Sequence, residues 1–377
     1  LTTARKAFKF RLYPTHLQET LLERQFEACR ELYNAALTER REAYRMVGKS
    51  INYFDQANQL KEIRTFRPDL CAVNFSATQD VLRRLEKGFK AFFERIKRGD
   101  KPGFPRYKGK NRYNSVTWPS YGDGCKLKAS GLVYLQGIGN VRFKQHRNLQ
   151  GKTKTVTVER DGNNWYVVLS CQYEFEAVER HDGPVVGCDV GLEYFANLSN
   201  GQQVANPRYF RKSEKRLAKA QRKLSALARN NPLRRKARVR VAKAHRHIRN
   251  QRQDFAHKLS RTFVSTYSLV AVEDLNIRGL AAGMLAKSVN DAAWSLFIHM
   301  LEYKAENAGS LVVKVDPRRT SQTCPDCGNI VKKELSVRWH NCPCGCSMPR
   351  DVAAARVILS RGLATLRNQS VEAVCFS

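Results

Sequence analysis

Three acidic residues stand where apolar runs end or a helix begins: Asp189 follows "VVGC", Glu273 closes "LVAV", and Asp351 opens "DVAAARVIL". Carboxylates are hard oxygen donors, and three gathered at one point repel one another unless a cation neutralises them. Such a set suits Mg²⁺ or Mn²⁺, with coordination positions left open for water and substrate. Two such ions close together can activate a water and stabilise the leaving oxygen of a phosphodiester. Taken singly, each acid has a plainer explanation. Asp-x-Gly is a turn, a strand-end glutamate aids solubility, and an aspartate favours the first turn of a helix. Their joint order along the chain argues for one site. Glu193 and Asp274 are expected outside it, Asp274 because successive side chains on a strand face opposite ways.

Five of the eleven cysteines crowd into 324–346. "TCPDCG" makes Cys324-x-x-Cys327 one knuckle, and "CPCGC" supplies a second after fourteen residues. Thiolates at this spacing suit closed tetrahedral Zn²⁺, which stabilises the fold and leaves no place for substrate. Cys342 and Cys344 are expected to complete the set, because Cys344-Gly345 mirrors Cys327-Gly328. Cys346 is the alternative, and His340 a weaker one. Cys29, Cys71, Cys125, Cys171, Cys188 and Cys375 are scattered and read as reduced core thiols, as expected in a cytoplasm. Leu1 stands where Met is usual; a TTG start translated literally, a prokaryotic habit, or a trimmed chain accounts for it.

These sites sit in a strongly basic chain of 377 residues, with 67 Lys+Arg against 34 Asp+Glu and a formal charge of +33. That excess costs self-repulsion, and a polyanion partner is its natural reason, since neutralising phosphates releases condensed counterions. No apolar run approaches the ~20 residues of a membrane span, which argues against a membrane partner. The length suggests two or three units.

The elements that must hold the acids follow from periodicity. "AFKFRLYPT" (7–15) alternates as a strand, and Thr15 with Gln18 forms a capping box opening a helix with Leu17, Leu21, Leu22, Phe26, Cys29, Leu32, Tyr33, Ala36 and Leu37 on one face. Ser76 and Gln79 match the same box before a helix with Leu82, Leu85, Phe89, Phe92, Phe93 and Ile96 as its core stripe. A breaker-rich basic link (99–115) leads into alternating strands to about 178, ending in a hairpin that turns at Asp161–Asn164. From 185 the order is three strands with an Asn200–Gly201 turn, basic helices, a strand (268–274), a helix (291–309), a strand (311–317), the cysteines, and a helix from Asp351. Residues 211–250 carry 16 Lys+Arg and one acid, Glu214. This order suits a ribonuclease-H-like fold, in which the first and fourth strands lie side by side and bring Asp189 and Glu273 together.

"FKFRLYPTHLQ", "GFPRYK", "GCDVGL", "RQDFAHKLS", "VEDLNIRGL", "TSQTCPDCG" and "PRDVAAARVIL" together resemble the TnpB family, transposon-encoded proteins related to type V CRISPR effectors. The motifs span nearly the whole chain in the family's order. The resemblance implies an α/β multidomain protein. Its ribonuclease-H-like RuvC nuclease domain would carry a zinc-ribbon insertion, preceded by a β-barrel wedge domain with a helical recognition insertion. The implied boundaries are 1–14 for the first wedge strand, 15–105 for the recognition lobe and 106–182 for the wedge barrel. RuvC segments I and II would follow at 183–319, the zinc ribbon at 320–348 and segment III at 349–377. The implied activity is Mg²⁺- or Mn²⁺-dependent, RNA-guided DNA cleavage next to a short target-adjacent motif, with Asp189, Glu273 and Asp351 as catalytic acids and Cys324, Cys327, Cys342 and Cys344 on structural zinc. The implied partners are a guide RNA from the transposon end and double-stranded target DNA, with the protein monomeric in a prokaryotic cytoplasm. Gln79 matches the stretch that meets the target-adjacent motif in relatives, and equally a capping residue. The basic helices 211–252 would contact RNA or the guide–target duplex through phosphates.

The chain departs from the family pattern twice. Its second knuckle is C-x-C, and Ala353 stands where the last motif usually has Asn. Two other readings are a non-cleaving RNA-guided DNA-binding repressor, marked by loss of a catalytic acid, and a transposase with a ribonuclease-H-like core.

Overall fold

A computed structural model describes residues 2–110, 112–128, 131–175, 178–334 and 336–375; the side chains of residues 2, 278 and 369–375 fall outside the description. The chain divides into two units, Leu1–Glu176 and Ala177–Ser377.

The first unit opens with β1 (Thr2–Tyr13), followed by helices α1 (His16–Val47), α2 (Tyr53–Phe66), α3 (Pro68–Cys71) and α4 (Phe75–Lys97). Strands β2 (Ser115–Trp118), β3 (Cys125–Lys128), β4 (Leu132–Leu135), β5 (Gly139–Lys144), β6 (Lys152–Asp161) and β7 (Asn164–Phe175) complete it. All seven strands form one antiparallel sheet, ordered β2-β6-β7-β1-β5-β4-β3. The end strands are β2 and β3, yet only residues 119–124 join them. In a flat sheet they would lie about 29 Å apart, whereas seven chain steps reach at most ~25 Å, and this link also bends back at Gly122 and Gly124, both at positive φ. The sheet must therefore curl. Among the described residues no ladder joins β2 to β3, so of the β-barrel or curled sheet that the alternating strands allow, the curled sheet is the one formed, closed by covalent chain.

Thr15 caps α1 through the expected box with Gln18. The expected cap of α4 is different: Asn74 accepts from the Ala77 N–H, while the Ser76 hydroxyl is committed to Asp123 at 2.5 Å. The stripe of α4 is core only in its first half. Leu82 and Leu85 are buried, but Phe93 and Ile96 are exposed because the helix outruns the surface it packs on. Leu17 is exposed likewise. Of the scattered cysteines, Cys29, Cys125, Cys171 and Cys188 are buried as expected; Cys71 is exposed, and the Cys375 side chain lies outside the described residues.

The second unit begins with β8 (Val185–Val190), β9 (Tyr194–Leu198) and β10 (Gln203–Ala205), then the long helices α5 (Tyr209–Ser225) and α6 (Leu233–Thr266). It continues with β11 (Leu269–Glu273), α7 (Ile277–Leu280), α8 (Ala286–Ala292), α9 (Trp294–Glu306), β12 (Leu311–Val315), the small hairpin β13 (Trp339–Asn341) and β14 (Ser347–Pro349), and α10 (Arg350–Cys375). The sheet runs β10-β9-β8-β11-β12, with β8, β11 and β12 mutually parallel. The first and fourth strands are thus neighbours. Alternation then sorts the side chains: Val186, Cys188, Val270 and Val272 pack with α6 and α9, while Leu269, Ala271 and Val313 pack against Ile358 of α10. Asp189 and Glu273 fall on the α10 face by the same period.

Two glycines let α10 lie directly on the sheet. A Cβ on Gly187 would sit 1.9 Å from the Ala355 carbonyl oxygen, and one on Gly362 would sit 2.7 Å from the Ala271 Cβ.

Candidate active site and metal centres

Register sets the two strand acids side by side. Val272 pairs with Cys188 in the parallel ladder, so the next step brings Glu273 level with Asp189. The antiparallel partner of Asp189 is Asn197 on β9. Asn197 is buried; its Nδ2 donates to Asp351 Oδ2 at 3.3 Å, and its Oδ1 accepts from Gln203 Nε2 at 3.1 Å. That second bond fixes which end of the amide faces the carboxylate. Glu273 is also buried, and Thr320 donates its hydroxyl to Glu273 Oε1 at 2.5 Å.

The electrostatics put Asp189 within reach of the other two acids. Burial first, then the charges of Glu273 and Asp351, hold the Asp189 carboxyl well above the usual carboxylate range, against the opposing pull of Arg350. Burial likewise raises Glu273, opposed by its bond from Thr320 and by Arg361. A pair of acids so reluctant to ionise together lacks positive charge, and oxygen donors of this kind match a hard divalent cation. Glu193 and Asp274 are exposed, and Glu193 pairs with Arg338 at 3.4 Å.

The cysteines gather at the mouth of α10. Sγ atoms of Cys324, Cys327, Cys342 and Cys344 all lie within 4.8 Å of one another, with Cys324–Cys344 at 3.6 Å and Cys327–Cys342 at 3.5 Å. Tetrahedral zinc with bonds of about 2.3 Å would set its sulfurs about 3.8 Å apart, so these four fit the ion. Cys346 and His340 form a second group with Cys324. Burial opposes ionisation of Cys324, yet hydrogen bonds from Cys327, Asp326 and His340 draw its thiol down to about 5, whereas burial, with Asp326 and Cys324 nearby, pushes Cys346 up to about 12. The shortened knuckle forms the β13–β14 turn, where the Cys342 N–H donates to the Cys346 carbonyl, and β14 passes straight into α10. The Arg350 N–H, one residue before Asp351, donates to the Arg338 carbonyl of this hairpin.

Helices α5 and α6 form a hairpin packed on Leu217, Ala244 and Ile248. Buried Asp291 anchors it, accepting from the Phe210 and Arg211 N–H groups and pairing with Arg252 at 2.8 Å. The remaining basic side chains are largely exposed, as a solvated or phosphate-binding face requires.

Asn197, Thr320 and Asp291 were not expected from the sequence as part of these sites. A polar residue inside the apolar strand "YFANL" was the available signal for Asn197, since burying an amide demands a partner.

A curated relative from Streptomyces pristinaespiralis, named "Putative RNA-guided DNA endonuclease", is 35% identical over 369 residues, covering 96% of this chain and 90% of that protein. The chain belongs to the TnpB family. The family model described as "Probable transposase" matches residues 168–283, a "Cas12f1-like, TNB domain" matches 294–358, and a "Helix-turn-helix domain" matches 4–49, which here fold as β1 and α1. "Putative RNA-guided DNA endonuclease InsQ" of Escherichia coli (strain K12) is 30% identical, covering 96% of this chain and 93% of its own. Among solved structures, the Cas12f1 chain in a complex with sgRNA and target DNA shares the fold with a TM-score of 0.59 at 14% identity, over 94% of this chain and 98% of that one. No helix among the described residues is long and apolar enough to cross a membrane.

Proposed function

We propose that the chain is a metal-dependent, RNA-guided DNA endonuclease that hydrolyses phosphodiesters in a duplex matched to a guide RNA from the transposon end, beside a short target-adjacent motif. The observation that carries this reading is the placing of Glu273 level with Asp189 on one face of the second unit's sheet, with burial and the charges of Glu273 and Asp351 together raising the Asp189 carboxyl. The names borne by the TnpB relatives and the fold shared with Cas12f1 support it. On this reading the second unit is a RuvC nuclease of ribonuclease-H-like build, and the first combines wedge and recognition roles.

Mg²⁺ or Mn²⁺ held by the three acids would supply the positive charge that activates water and stabilises the leaving oxygen. The protein's own work is placement. Thr320 holds one oxygen of Glu273, Asn197 holds one of Asp351, and the parallel register sets the strand carboxylates abreast. Zinc on Cys324, Cys327, Cys342 and Cys344 would fix the chain entering α10. The basic α5–α6 face, anchored by Asp291, would meet RNA or duplex phosphates.

The test is cleavage and filter binding with guide RNA and matched duplex. Asp189→Ala, Glu273→Gln and Asp351→Ala should each abolish Mg²⁺-dependent cutting while guided binding persists; Asp274→Asn should cut. A wild-type protein that binds the guided target yet cuts in neither Mg²⁺ nor Mn²⁺ would be a repressor.

A further inference from the structure

The four thiolates that fit one zinc leave two buried donors of the cysteine hairpin unused. His340 on β13 is wholly buried, and Cys346, in the turn before β14, is 6% exposed. With Cys324 they form a group whose ligand atoms all lie within 4.8 Å of one another, and Cys324 is the one member it shares with the four-thiolate set. Lys333 bonds the Nδ1 of His340. The Nε2 has no nitrogen or oxygen partner among the described residues and turns to the Cys324 sulfur. A buried ring nitrogen left so poorly satisfied costs free energy, and a metal ion relieves that cost.

The donors suit an ion of zinc's class. Tetrahedral bonds to sulfur and imidazole nitrogen would set sulfur about 3.8 Å from sulfur and about 3.6 Å from nitrogen, so the group closes with shifts of about an ångström. Asp326 adjoins the Cys346 sulfur and offers a carboxylate oxygen for the fourth position. Charge argues the same way. Four thiolates around one Zn²⁺ leave a centre that is negative overall, and a second dication on the shared sulfur offsets that excess. With only two thiolates, one of them shared, the second seat is the weaker, and the chain keeps a single ion until more metal is supplied. On filling, the Cys346 proton leaves to solvent and the His340 ring proton sits on Nδ1. Lys333 then turns to the Ser321 carbonyl, which it already reaches at 3.3 Å.

We propose that Cys324, His340 and Cys346 hold a second zinc-class ion, bridged to the first through the Cys324 sulfur. This ion clips β13 and the start of β14 to the first knuckle, immediately ahead of the helix that carries Asp351. It presupposes the four-thiolate ion and is independent of the nuclease reading.

The experiment titrates the full-length protein with Zn²⁺ against a chromophoric chelator, while native mass spectrometry counts the ions on each chain. Co²⁺ in a parallel series reports the donors, because an all-thiolate centre and one with an imidazole absorb differently. Wild type should take two ions, the second more weakly. Cys346→Ala and His340→Gln should each keep the first ion and weaken the second at least about a hundredfold, since even a group that only orients a ligand is worth about 10–100-fold. Melting of the one-ion form shows whether each variant folds; if His340→Gln does not, Cys346→Ala alone decides. Wild type that saturates at one ion overturns the proposal, as does a second ion held unchanged by either folded variant. Loss of the first ion in folded Cys346→Ala overturns it too, because Cys346 would then serve that centre.

Discussion

Gly187 is where the placement of Asp351 can be attacked without touching a carboxylate. Its missing side chain faces the Ala355 carbonyl, and an added Cβ would lie 1.9 Å from that oxygen. Carbon atoms do not approach carbonyl oxygens closer than about 3.0 Å, so in Gly187→Ala the helix must retreat by roughly 1.1 Å. The obstacle is backbone, and no rotamer relieves it. Asp351 sits one turn before Ala355 on the same rigid helix and moves with it. A misplacement of about 1 Å costs on the order of a hundredfold in rate, and overpacking costs about 1–3 kcal/mol, or a Tm lower by roughly 2–12 °C at 2–4 °C per kcal/mol. The assay pairs guided cleavage with thermal melting and guided binding; cutting should fall far more than binding. Gly362→Ala provides the contrast, because its one tight contact is the Ala271 Cβ. The double change Gly362→Ala/Ala271→Gly should recover most of the loss, whereas nothing comparable rescues Gly187→Ala. Full cleavage with unchanged melting in Gly187→Ala would refute the argument that the seat of α10 sets the site.

Three more outcomes follow from the same geometry. Asp189 titrates above its unfolded value, so its contribution to metal-free stability is complete below pH about 4 and declines as pH rises through the raised value; Asp189→Asn should therefore raise the metal-free Tm at pH 7, gain less at pH 4, and lose the stabilisation that Mg²⁺ gives wild type, all read by calorimetry. Asn197→Ala should cut slowly and need more Mn²⁺, while Asn197→Gln or Asn197→Ser recovers part of the metal affinity; a merely structural Asn would lower Tm and leave the Mn²⁺ titration unmoved. Cys324→Ser should release about one zinc per chain and lower Tm, measured by metal analysis and melting, and zinc-free protein with wild-type melting would contradict a structural ion.

The strand order and the pairing of the two strand acids were legible because they rest on backbone alternation: apolar runs ending in Asp189 and Glu273 had to put those side chains on the face opposite Val186 and Val270. What failed was decided by tertiary partners. Ser76 has the spacing of a cap, but Asp123, far along the chain, takes its hydroxyl, and Asn74 caps instead. Phe93 and Ile96 keep the helical period of a core stripe, and period alone does not tell how far the partner surface extends. Thr320 lies within "RTSQTC", a stretch read for its cysteine and for the family resemblance. Its role depends on where the chain returns after β12, which no local pattern encodes.

The inner position of β1 sets a timetable. Thr2 lies opposite Phe175 and Tyr13 opposite Arg142, so this strand has hydrogen-bonded neighbours that are translated much later. At 5–20 residues per second, β1 waits roughly ten to thirty seconds for β7. In that interval α1, which needs only its own local bonds, can form and shelter the nascent strand's apolar side. The second unit repeats the delay, since Asp351 arrives long after Asp189. A nascent chain that has not reached Asp351 therefore holds two of the three acids and, on the proposed reading, no cutting centre.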